Sequence, residues 1–259
     1  MKYGLLGTNI SYSLSKKLHK EIAKLNDFEI NYEIIDIKEE DLKTYINYLR
    51  DGKYKGYNVT IPFKQKIIKY LDVLSPEVKK LGACNMVMVK NGLLYGYNTD
   101  YYGFSKTIIS DNIKPNTAYI LGTGGAARTA YSYLCENGFD CVVVSRVGEE
   151  DDFFKKLIYY EDFYKLEHIP ILVNATPVGT SPNFGSPLKV VNQTFDLVID
   201  LIYNPLKTEL MNQGKKSVNG IVMLIYQAIK TEELWHDKKL KEDKESINYL
   251  KGVLYECIR

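Results

Sequence analysis

The sequence predicts an α/β protein, and three observations carry that prediction. Short apolar runs alternate with stretches whose apolar residues recur at helical spacing, the pattern of strands covered by helices. Gly122-Thr123-Gly124-Gly125-Ala126-Ala127 stands between one such run and one such stretch, where a phosphate-binding turn opens a helix. The 259 residues, 45% hydrophobic and 25% charged, suffice for one large globular domain or two modest ones.

Taken in order, KYGLLG (2–7) reads as a short strand closed by Gly7. Ser15 to Leu25 is a helix, with Leu18, Ile22, Ala23 and Leu25 as its apolar stripe. NYEIIDI (31–37) is a second strand, and Glu40 to Leu49 a helix stopped by Asp51-Gly52. YKGYNVT (54–60) is a third strand, halted by Pro62, and Lys64 to Leu71 a helix. Residues 84–98 form a hairpin that turns at Asn91-Gly92. Tyr101 to Ser110 is a helix leading into a second unit. There, 116–146 reads as strand, glycine turn, helix, strand, and the helix ends at Asn137-Gly138. HIPILVNAT (168–176) and FDLVIDLIY (195–203) supply further buried strands. IVMLIYQAIK (221–230) is an apolar helix, and a polar helix runs from Ser246 to Cys257. KKLKEDKES (238–246) reads as a solvated surface.

Composition excludes several classes. A formal net charge of +2 offers no global attraction for nucleic acid. The cysteines, Cys84, Cys135, Cys141 and Cys257, form no CxxC pair, and His19, His168 and His236 do not cluster with them, so no metal is expected. Free thiols in a reducing compartment are the simpler reading. No segment has the roughly 18 apolar residues of a membrane span. MKYGLLG is too short an apolar run for a signal peptide. A cytoplasmic protein is expected.

The turn at Gly122 fits G-x-G-x-x-A. Its first glycine permits a tight turn, its second lets backbone approach a pyrophosphate, and Ala127 lets the helix pack closely on the sheet. The helix N-terminus presents free N–H groups to phosphate. An NAD-binding unit usually carries Asp or Glu after the next strand, VVVS; here Ser145-Arg146 stand there instead. A hydroxyl followed by a guanidinium suits a 2′-phosphate, which favours NADP over NAD. Glu149 and Glu150, a few residues later, argue the other way.

Ser13 and Ser15 flank Leu14 before the first helix. One serine as helix N-cap is the plain reading; two hydroxyls beside free helix N–H groups also make a carboxylate pocket. Asn58, Thr60, Asn85, Thr99 and Asp100 each lie at or near a strand end, where α/β proteins collect ligands. They offer donors and acceptors suited to a polyol, although asparagine in a turn is often only turn chemistry. Lys64 follows Pro62 at a helix start, a place the macrodipole disfavours for a cation. Beside Asp100 such a lysine can give a proton to a developing alkoxide, or take one in reverse. Spacing alone does not bring the two together.

At these residues the chain resembles the shikimate dehydrogenase family, over nearly its whole length. The resemblance rests on YSLS with His19 after it, NVTIPFK, GACN, NTD, GTGGAA, Ser145-Arg146, NATPVGT, DLIYNPLKTELM, NGIVMLIYQA and EELW. It implies reversible NADPH-dependent reduction of 3-dehydroshikimate to shikimate, an oxidoreductase step on a CH–OH group in aromatic amino acid (chorismate) biosynthesis. It implies two α/β domains with a cleft between them. The first, 1–99, would carry a mixed, mainly parallel sheet, bind substrate and be completed by helices at about 224–259. The second, 100–223, would be a Rossmann unit for NADP. Ser13 and Ser15, helped by Tyr203, would bind the substrate carboxylate. Asn58, Thr60, Asn85 and Gln227 would hold ring hydroxyls, and Lys64 with Asp100 would form the catalytic pair. Gly122, Thr123, Gly124, Gly125 and Ala126 would take the pyrophosphate, Ser145 and Arg146 the 2′-phosphate, and Gly220 and Met223 would border the nicotinamide. Partners would be the small-molecule substrate and cofactor, on a monomer or homodimer.

The chain departs from the family pattern where Asn9 replaces a proline, Tyr12 a histidine, Lys16 a proline and Met86 a threonine. Ser-Arg-Val (145–147) stands for the frequent Asn-Arg-Thr, and Thr180 for methionine. None removes a proposed catalytic group. The rival readings are an NAD-preferring quinate/shikimate dehydrogenase, a methylenetetrahydrofolate dehydrogenase-like enzyme, and a non-catalytic dinucleotide sensor. A sensor has no need of Lys64, Asp100 and Gln227.

Overall fold

The computed structural model describes residues 2–148, 151–182, 184–189 and 193–258. The chain divides into two compact units, Met1–Gly103 with Ile225–Cys257, and Phe104–Leu224.

In the first unit, β1 (Lys2–Gly7), α1 (Ser15–Leu25), β2 (Asn31–Asp36), α2 (Leu42–Arg50) and β3 (Gly56–Val59) alternate in the expected order. They are followed by α3 (Phe63–Lys66), β4 (Val73–Leu74), α4 (Pro76–Leu81), β5 (Met86–Lys90) and β6 (Leu93–Tyr97). The six strands form one sheet in the order β2-β1-β3-β5-β6-β4. β1 pairs in parallel with β2 and β3, β5 runs antiparallel to β3 and β6, and β4 is parallel to β6. The sheet is therefore mixed. β3 is buried at every residue, because apolar layers cover both its faces. Leu6, Leu42, Ile46, Tyr57, Phe63 and Ile67 belong to one core cluster, while Tyr3, Leu5, Tyr32 and Trp235 belong to another.

α1 has the bounds its periodicity predicts: Leu18, His19, Ile22 and Ala23 share its buried face. The hairpin turn also forms as expected, with Asn91 at φ 52° and Gly92 at φ 75°. An added Cβ at Gly92 meets nothing within 4 Å. Gly92→Ala therefore isolates backbone strain, and urea unfolding should show a loss of about 1 kcal/mol; a neutral result would mean the turn relaxes freely.

Two elements differ from expectation. The helix predicted over Lys64–Leu71 is the single turn α3 plus a 3₁₀ turn at Ile68–Tyr70. Leu71 turns extended (φ −94°, ψ 142°), and the Asp72 N–H donates to the Leu94 carbonyl, which draws the chain into the sheet. α4 was not anticipated, although its signals are complete: the Ser75 hydroxyl accepts from the Val78 N–H, Pro76 opens the helix, and Gly82 closes it at φ 59°.

α5 (Asp100–Ser110) leads into the second unit, with β7 (Thr117–Leu121), α6 (Gly125–Glu136), β8 (Asp140–Ser145), β9 (Leu157–Tyr159) and α7 (Tyr160–Phe163). β10 (His168–Asn174), β11 (Thr194–Asp200) and β12 (Gly214–Val218) follow. All six strands are parallel, in the order β12-β11-β10-β7-β8-β9. This is the doubly wound order, and its switch point lies between β7 and β10. β12 was not anticipated: GKKSV is polar because it is an edge strand, where lysines discourage further pairing. α8 (Ile221–His236) returns to the first unit, and α9 (Lys244–Ile258) completes it. α8 runs on past Lys230 because Thr231 and Glu232, polar in sequence, are wholly buried. No helix among the described residues is long and apolar enough to cross a membrane.

Candidate active site

Lys64 is carried by α3, whose neighbours Phe63 and Ile67 are fully buried and act as its anchors. The Phe63 N–H donates to the Thr60 carbonyl at 2.8 Å, and the Cys84 N–H to the Lys64 carbonyl at 2.7 Å. The turn therefore hangs between the ends of β3 and the start of β5. Asp100 opens α5, where an acid is favoured by the helix dipole. The Asn98 side-chain oxygen accepts from the Tyr101 N–H at 3.1 Å and so fixes that first turn. These two anchored turns meet. Lys64 Nζ donates to Asp100 Oδ2 at 2.6 Å, with side chains only 16% and 9% exposed.

Behind the pair lies a buried lattice of amides and hydroxyls. Asn85 Oδ1 accepts from the Thr99 N–H at 2.6 Å, and Asn85 Nδ2 donates to Thr99 Oγ1 at 3.0 Å. Thr99 Oγ1 lies 3.1 Å from Thr231 Oγ1. Asn58 Nδ2 donates to Thr231 Oγ1 at 3.1 Å and to the Asn85 carbonyl at 3.4 Å, while Asn58 Oδ1 accepts from the Tyr32 hydroxyl at 2.9 Å. The Asn58 amide is thus engaged on both sides within the interior. Thr60 is half-buried, and among the described residues its hydroxyl has no protein partner. Gln227 is buried on α8. Burial pushes the Cys84 thiol up to about 12, so this residue fills space beside the pair as a neutral thiol.

The serine pair stands at the start of α1. Ser13 Oγ donates to Ser15 Oγ at 3.1 Å, and the Ser15 N–H donates to Ser13 Oγ at 3.3 Å. The N-cap position is Leu14, and no side chain caps the helix. The capping role open to either serine is therefore not used at that position.

In the second unit, Gly122 follows β7 at φ 101° and faces Thr176, whose methyl would lie 3.1 Å from an added Cβ. Gly124 is the N-cap of α6, with no side-chain cap and nothing within 4 Å of an added Cβ. Ala127 is fully buried. The result is an uncapped helix end with open space before it, a cradle that fits a pyrophosphate. Ser145 is buried at the end of β8, and its hydroxyl donates to the Arg146 carbonyl at 3.3 Å; Arg146 is exposed. Glu149 and Glu150 lie outside the described residues. Tyr203 is half-buried, Met223 is buried, and the Gly220 N–H donates to the Ile202 carbonyl at 2.9 Å.

Asp200 was not singled out in the sequence. It is wholly buried after an apolar run, where it accepts from Thr208 Oγ1 (2.6 Å), Asn174 Nδ2 (3.0 Å) and the Ile202 N–H (3.1 Å). Burial raises its pKa against the lowering effect of those bonds. It ties the end of β10 to the segment that follows β11. Among the described residues no group of His, Cys, Asp and Glu could hold a metal ion.

A doubly wound unit with an open helix end, accompanied by a second α/β unit with a half-buried ammonium–carboxylate pair, defines a two-unit dinucleotide-binding class. The model of the shikimate dehydrogenase substrate binding domain matches residues 5–87. The shikimate dehydrogenase (NADP(+)) of Clostridium beijerinckii is 40% identical over 253 residues, covering 92% of this chain and 93% of the relative. The crystal structure of shikimate dehydrogenase 1 from Peptoclostridium difficile superposes with a TM-score of 0.92 at 36% identity, covering 100% of both chains. That of shikimate 5-dehydrogenase from Thermus thermophilus, in complex with NADP(H) and shikimate, gives 0.82 at 28% identity, covering 98% and 99%. The chain belongs to the shikimate dehydrogenase family.

Proposed function

We propose that this protein catalyses the reversible NADPH-dependent reduction of 3-dehydroshikimate to shikimate, in aromatic amino acid biosynthesis. The Lys64–Asp100 contact carries the reading, because ketone reduction needs a proton donor at the carbonyl oxygen. Lys64 Nζ gives its proton to that oxygen as the alcohol forms, and recovers one from the hydroxyl in the oxidative direction. Asp100 holds Nζ in place and accepts from a neighbouring hydroxyl. When bound, the nicotinamide supplies the hydride.

The remaining residues bind and orient. Ser13 and Ser15, with Tyr203, take the substrate carboxylate. Asn58, Thr60, Asn85 and Gln227 hold ring hydroxyls. The Asn58 amide also bonds to Tyr32, Thr231 and Asn85, which fixes it in place. Gly122 to Ala126 cradle the pyrophosphate, Ser145 and Arg146 take the 2′-phosphate, and Gly220 and Met223 border the nicotinamide.

Absorbance of reduced nicotinamide tests the reading. Purified protein should reduce NADP+ with shikimate, more slowly reduce NAD+, and act less well on quinate. A preference for NAD+ would select the quinate/shikimate rival. Tight NADP+ binding without shikimate-dependent reduction would select the sensor.

A further inference from the structure

Behind the serine pair lies a cluster that the reaction does not use. His19 stands one helical turn after Ser15, on the same buried face of α1. Its Nδ1–H donates to Glu232 Oε1 on α8, and both side chains are fully buried. Glu232 Oε2 lies 3.2 Å from His236 Nε2, one turn further along α8. The His19 ring stacks on Tyr32 (centroids 4.2 Å apart, interplanar angle 16°), and Tyr32 holds Asn58. Glu232 adjoins Thr231, which receives the Asn58 amide, and follows Gln227 on the same helix.

A carboxylate in this position is costly to bury, and apolar residues of equal volume often serve stability as well or better. Burial pushes the Glu232 carboxyl up, yet the hydrogen bond from His19, with His236 nearby, brings it net below its ordinary value. It is therefore held as an anion between two imidazoles. Such a contact has one geometric consequence that packing alone does not give. A hydrogen bond of defined direction sets the rotation of α1, and so the direction of the Ser15 hydroxyl, against the helix that carries Gln227.

We propose that the His19–Glu232 contact is a positioning device that aims the serine pair and thereby sets the enzyme's preference for a substrate carboxylate. This rests on the reading that Ser13 and Ser15 bind that carboxylate. His19 and Glu232 are positioning residues, acting through Ser15.

The test compares shikimate with its methyl ester, with NADP+ saturating, in three variants. Ser15→Ala examines the underlying reading: the ratio of kcat/KM for acid over ester should fall. His19→Phe/Glu232→Leu keeps a ring on Tyr32 and removes the buried carboxylate together with its His19 partner, leaving the partly exposed His236. It should lower the same ratio about tenfold through KM for the acid, with kcat/KM for the ester and KM for NADP+ unchanged. His19→Asn, whose amide can still donate to Glu232, should retain most of the preference and serves if the double variant does not fold. If Ser15→Ala leaves the ratio intact, the serine reading fails and the proposal with it. If Ser15→Ala lowers the ratio but the double variant keeps it, or acid and ester decline together, only the positioning role is overturned. Loss of preference in His19→Asn would overturn it as well.

Discussion

Lys64→Ala is expected to lower kcat for shikimate oxidation about a thousandfold while changing KM for shikimate only a few-fold. The asymmetry follows from where the ammonium acts. Several groups other than Lys64 are assigned to hold the substrate, so its removal leaves most ground-state contacts in place. What disappears is the group that exchanges a proton with the reacting oxygen, a contribution made in the transition state. Lys64→Arg separates proton transfer from charge. A guanidinium can pair with Asp100 as the lysine does at 2.6 Å, but it does not give up a proton at any working pH. Lys64→Arg should therefore be nearly as slow as Lys64→Ala. Turnover close to that of the unaltered protein in either variant would remove Lys64 from the proton-transfer role.

The parts of this structure that were legible in the sequence are those specified locally. α1 keeps its predicted bounds, Ser15–Leu25, because its buried stripe has helical spacing and the chain turns at Asn26. The Asn91-Gly92 hairpin formed because few other dipeptides accept positive φ at both central positions. The turn from Gly122 into α6 was legible for the same kind of reason. What escaped was decided by tertiary context. β12 is polar because it is an edge, and α3 is short because Leu71 is pulled into the sheet.

The candidate site shows the same division. Residue types pointed to Lys64 and Asp100, but their contact spans 36 positions and depends on two separately anchored turns. Asn58 and Thr231 are 173 positions apart, and nothing in NVTIPFK discloses that the asparagine amide faces inward to a threonine on α8. Glu232 looked like one acid in EELW. Its place between His19 and His236 distinguishes it from Glu233, also buried, whose carboxylate meets Lys230 and Lys239. Two neighbouring acids share the same letter, and the His19 partner that sets Glu232 apart is supplied by a distant segment.

Arg146→Ala should reduce kcat/KM for NADPH about a hundredfold and leave the value for NADH nearly unchanged. The expectation comes from position. β8 ends in the sheet strand next to β7, so its last residue and the Gly122 turn emerge from neighbouring strands at the same end of the sheet. In such a sheet the end of the second strand is where the adenosine ribose is read. Ser145 is buried there and bonds to the backbone of Arg146, while Arg146 itself is exposed. A guanidinium on a phosphate makes charge-assisted bonds worth about 1.5–3 kcal/mol, and about 2.7 kcal/mol corresponds to the expected factor. NADH lacks the 2′-phosphate and so provides the internal control. A general disturbance of the β8 end would depress both cofactors together, and that result would show that Arg146 shapes the turn without reading the phosphate. Unchanged kinetics with both would place the 2′-phosphate contact elsewhere in the unit.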